Sequence, residues 1–450
     1  MTARVAVVGG GVAGLATAYR VLGAGADPIV FEAQDVAGGV IAPPVGVGDL
    51  ALEPGPDSLV ARKPWGTALC RDLGLRLAAP GTSGALLWTE TGLVPYLPGT
   101  AFGIPGDVGD VLRWPGLSRG GRFRALADLL KRSRHDGAEE TLGGLLRRRL
   151  GDEATDLAIA PLLAGVYAGD VDRMSASATF PELVAWEASQ GSLVRGAQAA
   201  QRSARRADPG PMFLRPARGM RELVDALAGA LGARVRLGEP AVAVDEGEVR
   251  LARGTERADA IVLACGPGPA AALLGSAAPA ELTQIELAST AVVFLVYPPG
   301  TADALPDASG FVVPRGRAPM TAATFVSRKW PEEAFGDRAV VRAFVGGVGF
   351  EDLLDGSDGD IVAACARHLA AVLDLPDPAA SRVHRWWRAM PQYGLGHLER
   401  VRRIRETVPP GIFVAGSAFD GVGVSDLARA AEETSARALA HAGLPRKEPA

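Results

Sequence analysis

The stretch Arg4-Val-Ala-Val-Val8-Gly9-Gly10-Gly11-Val12-Ala13-Gly14 decides the fold class of this chain. Its apolar start predicts a short buried strand, and the spacing Gly9-x-Gly11-x-x-Gly14 predicts a tight turn. Apolar residues at helical spacing over 15–22 and a second apolar run over 28–31 complete a βαβ unit. In such a unit, the N–H groups of the turn and the positive end of the helix bind a pyrophosphate. The stretch therefore predicts a doubly wound α/β domain that binds a dinucleotide.

Two further features favour FAD over NAD as that dinucleotide. Glu32, at the end of the second apolar run, can accept hydrogen bonds from ribose hydroxyls. Ala33 and the pair Gly38-Gly39 extend the fingerprint into the Glu-Ala-x(4)-Gly-Gly pattern of FAD-binding amine-oxidase-like proteins. Near the other end, Ala415-Gly-x(4)-Gly-x-Gly-x-x-Asp426 predicts a second strand, glycine turn and helix. Two separated glycine turns favour one long cofactor that is bound by both ends of the chain.

Composition and charge exclude several classes of protein. The 450 residues are 48% hydrophobic and 22% charged, as in ordinary globular proteins. A net charge of −4 gives no overall field for nucleic acid. The three cysteines, Cys70, Cys265 and Cys365, are too far apart for a disulfide framework or a CxxC metal clip. The longest apolar stretch, residues 287–299, is too short to span a membrane, and the N-terminus lacks a signal peptide. We therefore expect a cytoplasmic protein without a metal site.

The order of glycine-rich, basic helical and apolar strand-like segments along the chain predicts three lobes. The fold class is α/β, with a discontinuous Rossmann-like FAD-binding domain, a β-rich substrate domain and a helical lobe. Apolar or alternating runs at 291–297, 310–314, 320–325 and 339–345 predict an antiparallel sheet in the substrate domain. Residues 445–450 are predicted to form a loose tail. The predicted boundaries are 1–75, 212–266 and 384–450 for the FAD-binding domain, 76–110 and 267–383 for the substrate domain, and 111–211 for the helical lobe.

The middle of the chain is basic. Residues 113–149 contain ten Lys or Arg against four Asp or Glu, and residues 195–221 contain seven Arg against one Asp. Such a segment can be a solvated helical face, a patch for an acidic membrane or partner, or part of the route of a polyanionic substrate. A solvated face is the usual case. Because Arg147-Arg148-Arg149 interrupts any broad apolar face, we expect no stable membrane insertion.

Four motifs in order along the chain resemble the protoporphyrinogen/coproporphyrinogen oxidase family. They are Glu53-Pro-Gly-Pro-Asp-Ser-Leu-Val-Ala-Arg-Lys-Pro64, Gly165-Val-Tyr-Ala-Gly-Asp170, Ala389-Met-Pro-Gln-Tyr393 with Gly396-His397, and Ala415-Gly-Ser-Ala-Phe-Asp-Gly-Val-Gly-Val424. The chain is most similar to the soluble Gram-positive branch, which oxidises coproporphyrinogen III to coproporphyrin III in heme biosynthesis.

The resemblance implies a particular chemistry and set of partners. Removing six electrons and six protons from a porphyrinogen takes three two-electron flavin cycles, each ended by oxygen with release of hydrogen peroxide. The flavin carries the redox chemistry, so no metal and no nucleophilic or otherwise catalytic side chain is assigned. The expected partners are a tetrapyrrole substrate and molecular oxygen, with a possible transient contact to the next enzyme of the heme pathway.

The resemblance also assigns the residues that contact the cofactor. They come from the first glycine turn, the two loops that follow it, one later strand, one tryptophan and the C-terminal glycine turn. The set is Gly9, Gly10, Gly11, Val12, Ala13, Gly14, Glu32, Ala33, Gly39, Val40, Gly55, Pro56, Asp57, Ser58, Val242, Trp387, Gly416, Val422, Gly423 and Val424.

Five residues are predicted to contact the substrate. Buried carboxylates require cationic partners, so Arg62 and Lys63 are candidates for the propionates, with a solvated surface pair as the alternative. By resemblance, Val166 and Tyr167 lie in a glycine-flanked loop beside the macrocycle, with ordinary core packing as the alternative. Tyr393 is predicted to line the same cavity. His384 and His397 are expected to be structural.

Three other functions stay open at this point. The first is oxidation of protoporphyrinogen IX. The second is another flavin oxidase activity, of the amine oxidase or carotenoid desaturase type. The third is a non-catalytic escort protein of the same fold, because fold does not fix function.

Overall fold

The structure is a computed structural model that describes residues 2–133, 137–207 and 210–444, without the side chains of Arg205 and Ala207. The predicted tail, residues 445–450, lies outside the described residues. Strands and helices are numbered in chain order.

The described part of the chain contains twenty strands and sixteen α-helices. The strands are β1 (Arg4–Val8), β2 (Asp27–Phe31), β3 (Val45–Val47), β4 (Leu50–Leu52), β5 (Leu59–Val60), β6 (Leu77–Ala78), β7 (Leu86–Thr89), β8 (Gly92–Pro95), β9 (Phe213–Pro216), β10 (Val235–Arg236), β11 (Ala241–Asp245), β12 (Glu248–Leu251), β13 (Gly254–Arg257), β14 (Ala260–Leu263), β15 (Leu287–Val296), β16 (Gly310–Val312), β17 (Ala322–Phe325), β18 (Val340–Gly346), β19 (Ala380–Pro391) and β20 (Ile412–Val414). The helices are α1 (Val12–Gly23), α2 (Pro64–Asp72), α3 (Val108–Leu112), α4 (Arg119–Leu126), α5 (Leu142–Leu150), α6 (Asp152–Ala154), α7 (Ala160–Tyr167), α8 (Ala176–Thr179), α9 (Pro181–Gln190), α10 (Leu193–Ala207), α11 (Arg221–Leu231), α12 (Pro267–Leu274), α13 (Val326–Lys329), α14 (Asp358–Leu373), α15 (His397–Thr407) and α16 (Val424–His441).

A five-stranded parallel sheet forms the nucleotide domain, in the order β10-β2-β1-β14-β20. The central strands β1 and β14 are almost entirely apolar and buried, as expected for a parallel sheet that is covered on both faces. Helices α1, α11 and α16 pack on one face. The antiparallel sheet β11-β12-β13 and helices α12 and α15 pack on the other. Because β1 and β20 both belong to this sheet and α1 packs along α16, the two ends of the chain meet here.

A seven-stranded sheet forms the second lobe, in the order β19-β15-β18-β17-β16-β7-β8. Its pairs are antiparallel except for β7 beside β16. The four predicted runs form β15, β16, β17 and β18, and α14 covers one face of the sheet. Strand β19 was not predicted, and it runs through the predicted boundary between residues 383 and 384. The five predicted boundaries between the domain segments stay predictions.

Helices α3 to α10 form the third lobe around a buried apolar cluster. In this lobe the expectation of a solvated basic face is wrong for Arg149, whereas Arg147 and Arg148 stay partly exposed. Arg149 is fully buried and pairs with the equally buried Asp128, and Arg148 pairs with Glu187 at 2.7 Å. The reason is that Asp128, which follows α4, and Glu187, on α9, pack against α5 and pair with these arginines.

None of the helices in the described residues is long and apolar enough to cross a membrane.

Candidate flavin and substrate site

The first glycine turn is tightly packed on one side and open on the other. A Cβ on Gly9, whose φ is +114°, would lie 2.6 Å from the Ala264 carbonyl oxygen, and one on Gly14 would lie 2.0 Å from the Gly9 carbonyl oxygen. By contrast, a Cβ on Gly11 would have no described atom within 4 Å. Gly9 and Gly14 are thus required by the protein's own packing, whereas Gly11 faces a space that a ligand can fill.

Glu32 reaches the same turn from the end of β2. Its carboxylate accepts hydrogen bonds from the backbone N–H of Gly10 (2.6 Å) and of Gln34 (2.9 Å). Val12 and Ala13 start α1 directly after the turn, and Ala33 follows Glu32. These predicted cofactor residues therefore lie together at the carboxyl end of the parallel strands, where ligands bind in open α/β sheets.

Two loops pack against the turn. The N–H of Gly38 donates to the Gly10 carbonyl oxygen (2.8 Å), which brings Gly39 and Val40 alongside. A Cβ on Gly55 would lie only 2.0 Å from the Val40 carbonyl oxygen. The loop of Gly55 and Pro56 thus touches the backbone of the loop before it.

Asp57 anchors this second loop to helix α13 of the second lobe. Its carboxylate accepts hydrogen bonds from the Lys329 ammonium (2.8 and 2.9 Å) and from the Ser58 hydroxyl (2.8 Å). Burial by itself would raise the pKa of Asp57, but the charges of Lys329 and Arg342 lower it to about 2. Both carboxylate oxygens already have partners in the protein, so direct contact of Asp57 with a cofactor stays a prediction. Sequence reasoning missed Lys329 because no local pattern links it to Asp57.

The C-terminal glycine turn is fixed by a buried tyrosine. The Tyr393 hydroxyl donates to the Ser417 carbonyl oxygen and accepts from the Gly421 N–H (2.8 Å). Gly423 then precedes α16, whose first turn begins at Val424. A Cβ on Gly416 would meet no described atom within 4 Å, so this turn also has an open side.

Several of the apolar side chains that are predicted to contact the cofactor are half exposed. Val40 is 47% exposed, Val242 on β11 is 56% exposed and Trp387 on β19 is 54% exposed. Val422 is partly buried against the core of the helical lobe. Apolar walls with few polar groups are typical of cofactor clefts. Contact of these residues with the cofactor stays a prediction.

Val166 and Tyr167 lie at the end of helix α7, so their predicted placement in a loop is wrong. The helix continues through Gly165 and ends at Ala168, a non-glycine residue with a left-handed φ of 47°. Val166 is 50% exposed, whereas Tyr167 is buried against Tyr393, with ring centroids 5.4 Å apart. Burial raises the pKa of the Tyr167 hydroxyl, which therefore stays neutral.

Tyr393 and His397 form a buried stack beside Tyr167. Their ring centroids are 3.8 Å apart, and the rings lie within 15° of parallel. Burial raises the pKa of Tyr393 and lowers the pKa of His397, to about 4. Of the predicted lining residues, Tyr393 is thus the most enclosed, and its hydroxyl contacts the glycine turn. His384 packs its ring on Trp386.

Lys63, a predicted contact of the substrate propionates, has an ion-pair partner in the structure. Its ammonium contacts both carboxylate oxygens of Asp426 at 2.8 Å, while Arg62 is exposed. Asp426 belongs to the first turn of α16 and its charge also raises the pKa of Tyr167. The structure therefore brings Lys63, Tyr167 and the C-terminal glycine turn to one place, which we call the three-lobe junction. The motif contained Asp426, but nothing in its spacing indicated an ion pair with Lys63.

The turns fit an FAD cofactor by their shape. Gly11 and Gly416 each leave open the space that a side chain would fill, and the N–H groups of α1 and α16 lie at the two turns. A separate cavity of about 610 Å³, between α11 and the seven-stranded sheet, includes Asp57 but none of the other predicted residues. We therefore place the candidate site at the turns and the junction.

The fold and the two open glycine turns define a dinucleotide-binding flavoprotein oxidoreductase. Residues 12–439 match the family described as flavin containing amine oxidoreductase, and the chain belongs to that family. The predicted fold class, enzyme class and FAD cofactor are thereby confirmed.

The chain is also similar over nearly its full length to proteins with more specific names. It is 31% identical to coproporphyrinogen III oxidase of Bacillus subtilis (strain 168), covering 94% of this chain and 95% of that protein. It is 35% identical to coproporphyrinogen III oxidase of Mycobacterium tuberculosis (strain H37Rv), with 93% of each covered. A solved structure from Exiguobacterium sp. 255-15, provisionally named protoporphyrinogen oxidase, has a TM-score of 0.85 at 33% identity, with 97% and 98% covered. The predicted resemblance is confirmed.

Proposed function

We propose that this chain catalyses the FAD- and oxygen-dependent oxidation of coproporphyrinogen III to coproporphyrin III. The observation that carries the proposal is the full-length similarity to proteins named coproporphyrinogen III oxidase in Bacillus subtilis and Mycobacterium tuberculosis, at 31% and 35% identity. The overall reaction consumes one coproporphyrinogen and three oxygen molecules, and yields one coproporphyrin and three hydrogen peroxides.

The site indicates what the cofactor and the protein each contribute to the reaction. Bound FAD supplies the two-electron redox chemistry, and the chain supplies position and charge. The N–H groups at Gly11 would hold the pyrophosphate of the cofactor, and those at the start of α16 would hold its flavin end. Tyr393 fixes the second turn through its two hydrogen bonds, so that the cofactor end bound there keeps one position.

The three-lobe junction supports a flat, anionic substrate. Val166 and Trp387 present half-exposed apolar surface, which suits the face of a macrocycle. Arg62 and Lys63 present cationic groups for its propionates. Tyr167, neutral because burial raises its pKa, adds no charge that would repel them.

Protoporphyrinogen IX is the second candidate substrate. The provisional name of the Exiguobacterium structure and the name of a 27% identical chloroplastic protein of Arabidopsis thaliana, protoporphyrinogen oxidase 1, favour it. The two substrates differ in carboxylate number, four against two, so the number of cationic contacts at the junction decides between them.

The proposal is tested by assaying the purified protein with both porphyrinogens. We expect a yellow protein that forms fluorescent coproporphyrin, consumes three oxygen molecules per porphyrin and has the higher kcat/KM for coproporphyrinogen III. A colourless protein without turnover would instead support the escort function, and a higher kcat/KM for protoporphyrinogen IX would reassign the substrate.

Oxygen as acceptor, a transient contact with the next heme-pathway enzyme and a cytoplasmic location belong to the same proposal. Oxygen is proposed because the reduced flavin needs an electron acceptor in each of the three cycles, and the contact with the next enzyme because the product must be passed on.

A further inference from the structure

Strand β19 contains a bulge at the edge of the seven-stranded sheet. Trp386 pairs with Thr290 and Met390 pairs with Ala288, so residues 387–389 all lie opposite Ser289. Within the bulge, Arg388 has a left-handed φ of 45°. A large non-glycine side chain rarely adopts this conformation, and bulges that re-aim side chains are frequent next to active sites.

The surrounding structure holds this bulge in place. The N–H of Arg388 donates to the buried Ser289 hydroxyl (2.9 Å), and the Ser289 carbonyl oxygen accepts from the Gly347 N–H (2.9 Å). The next N–H, of Val348, donates to the Ala168 carbonyl oxygen (3.0 Å). Ala168 is itself left-handed, with a φ of 47°. Arg388 and Ala168, both with a strained left-handed backbone, therefore lie at the two ends of one short path of hydrogen bonds.

This path ends at the three-lobe junction. Ala168 follows Tyr167 directly, and the Gln392 side-chain amide donates to the Tyr167 carbonyl oxygen (2.8 Å). Trp387, the neighbour of Arg388, is half exposed and is a predicted cofactor contact. These hydrogen bonds therefore connect the backbone of Arg388 to Ala168 and Tyr167 at the proposed macrocycle site.

Arg388 is also chemically available. Its side chain is exposed, and no carboxylate of the described residues lies within ion-pair distance of it. By contrast, Arg385 on the same strand pairs with Asp358, and Lys63 at the junction pairs with Asp426. Arg388 is thus an uncompensated positive charge beside a site proposed to bind a polyanion.

We propose that Arg388 binds a propionate carboxylate of the substrate and favours a tetracarboxylate over a dicarboxylate macrocycle. This assignment rests on the proposed function. A planar guanidinium binds a carboxylate with two parallel hydrogen bonds. A tetrapropionate carries a carboxylate on every pyrrole ring and presents one to Arg388 in any orientation of the disc. A dipropionate can bind with both carboxylates away from Arg388, so it gains less binding free energy from this residue.

The test compares Arg388→Ala, Arg388→Lys and the control Arg382→Ala in the holoenzyme. Arg382 is exposed on the same strand, before the bulge, without an ion pair among the described residues. We expect Arg388→Ala to raise KM for coproporphyrinogen III about tenfold and KM for protoporphyrinogen IX less than threefold, with kcat within twofold. Arg388→Lys should keep most of the affinity, and Arg382→Ala should match the wild type. An unchanged ratio of the two KM values in Arg388→Ala would overturn the assignment.

A further variant separates the guanidinium from the backbone strain. Arg388→Gly removes the side chain but suits the left-handed φ, so it should raise KM for coproporphyrinogen III as much as Arg388→Ala does. A wild-type KM in Arg388→Gly would show that only the bulge geometry matters and would also overturn the assignment. Failure of the proposed function has a different signature, namely a yellow wild-type protein that turns over neither porphyrinogen.

Discussion

At the scale of single residues, the glycines of the first turn divide into two groups with different roles. Gly14 is required because any Cβ there would collide with the Gly9 backbone, whereas Gly11 is free of such contacts in the protein. Sequence spacing predicted both glycines, but it could not separate the structural one from the one that faces the cofactor.

The two groups predict different mutant phenotypes. We expect Gly11→Val to give a folded protein without FAD, because the valine side chain fills the space for the pyrophosphate. Gly14→Ala should instead lower the thermal unfolding temperature, because its Cβ meets backbone. Flavin absorbance per mole of protein and thermal unfolding measure the two effects. Normal flavin content in Gly11→Val would contradict the placement of the cofactor.

Lys63 and Asp426 act as a pair, so we predict non-additive effects on KM. Lys63→Ala removes a cation and leaves the Asp426 carboxylate uncompensated, so KM for coproporphyrinogen III should rise roughly tenfold with a smaller change in kcat. Adding Asp426→Asn to this variant should recover part of the loss. Steady-state kinetics of the two single variants and the double variant test this. Additive effects, or an unchanged KM in Lys63→Ala, would remove the pair from the substrate site.

The lowered pKa of His397 predicts that the protein loses stability in acid. Burial, with a further contribution from Arg400 and an opposing one from Glu139, lowers its pKa from 6.5 to about 4. Between these values the unfolded chain binds a proton that the folded one does not, so stability falls as the pH decreases from 6.5 to 4. The loss should be at most about 3 kcal/mol.

The His397→Phe variant tests that pH dependence. Phenylalanine keeps the stack on Tyr393, and neither ring nitrogen of His397 has a hydrogen-bond partner among the described residues. The variant should therefore be as stable as wild type at pH 7.5 and lose less stability on acidification. Parallel curves of unfolding free energy against pH for the two proteins would contradict the assignment.

At the scale of secondary-structure elements, the spacing of apolar residues predicted locally determined elements well. It did not predict the strands and pairings that depend on residues far away in the chain. The helical spacing over 15–22 and the apolar run over 28–31 lie within α1 and β2, because the spacing of apolar residues determines such elements locally. Strand β19 and the pairing of β7 with β16 were missed, since a strand is stabilised by partners far away in the chain.

Ion pairs between residues far apart in the chain were likewise not predicted. Asp57 meets Lys329 at a separation of 272 residues, and Lys63 meets Asp426 at a separation of 363. No spacing rule predicts such pairs. The arginines of α5 were therefore expected on a solvated face, although Arg149 is completely buried.

The buried position of Arg149 predicts a large loss of stability on substitution. Arg149→Ala would leave the Asp128 carboxylate buried without its cation, although Ser192 and Val194 still donate hydrogen bonds to it. We expect a loss of about 3–5 kcal/mol in the free energy of unfolding.

Chemical denaturation measures that loss, with Arg119→Ala as the control. Arg119 is exposed at the start of α4 in the same lobe, and its substitution should change stability by less than about 0.5 kcal/mol. A loss in Arg149→Ala below about 1 kcal/mol would show that the buried pair does not stabilise the helical lobe.

At the scale of the whole molecule, both ends of the chain build one nucleotide domain. Strand β1 and strand β20 flank β14 in the same sheet, and their following helices, α1 and α16, pack together. The glycine motifs predicted this arrangement because each marks a strand, a turn and a helix. The helical lobe and the seven-stranded sheet meet the second turn at Tyr167, Tyr393 and the bulge of β19. A porphyrinogen bound at this junction must therefore pass its electrons directly to the flavin.

Anaerobic stopped-flow mixing of the holoenzyme with coproporphyrinogen III tests this requirement most directly. We predict that the oxidised flavin absorbance bleaches in a single turnover at a rate no slower than kcat, and returns when oxygen is admitted. A flavin that stays oxidised in the absence of oxygen, while the porphyrinogen remains bound and unchanged, would contradict the account.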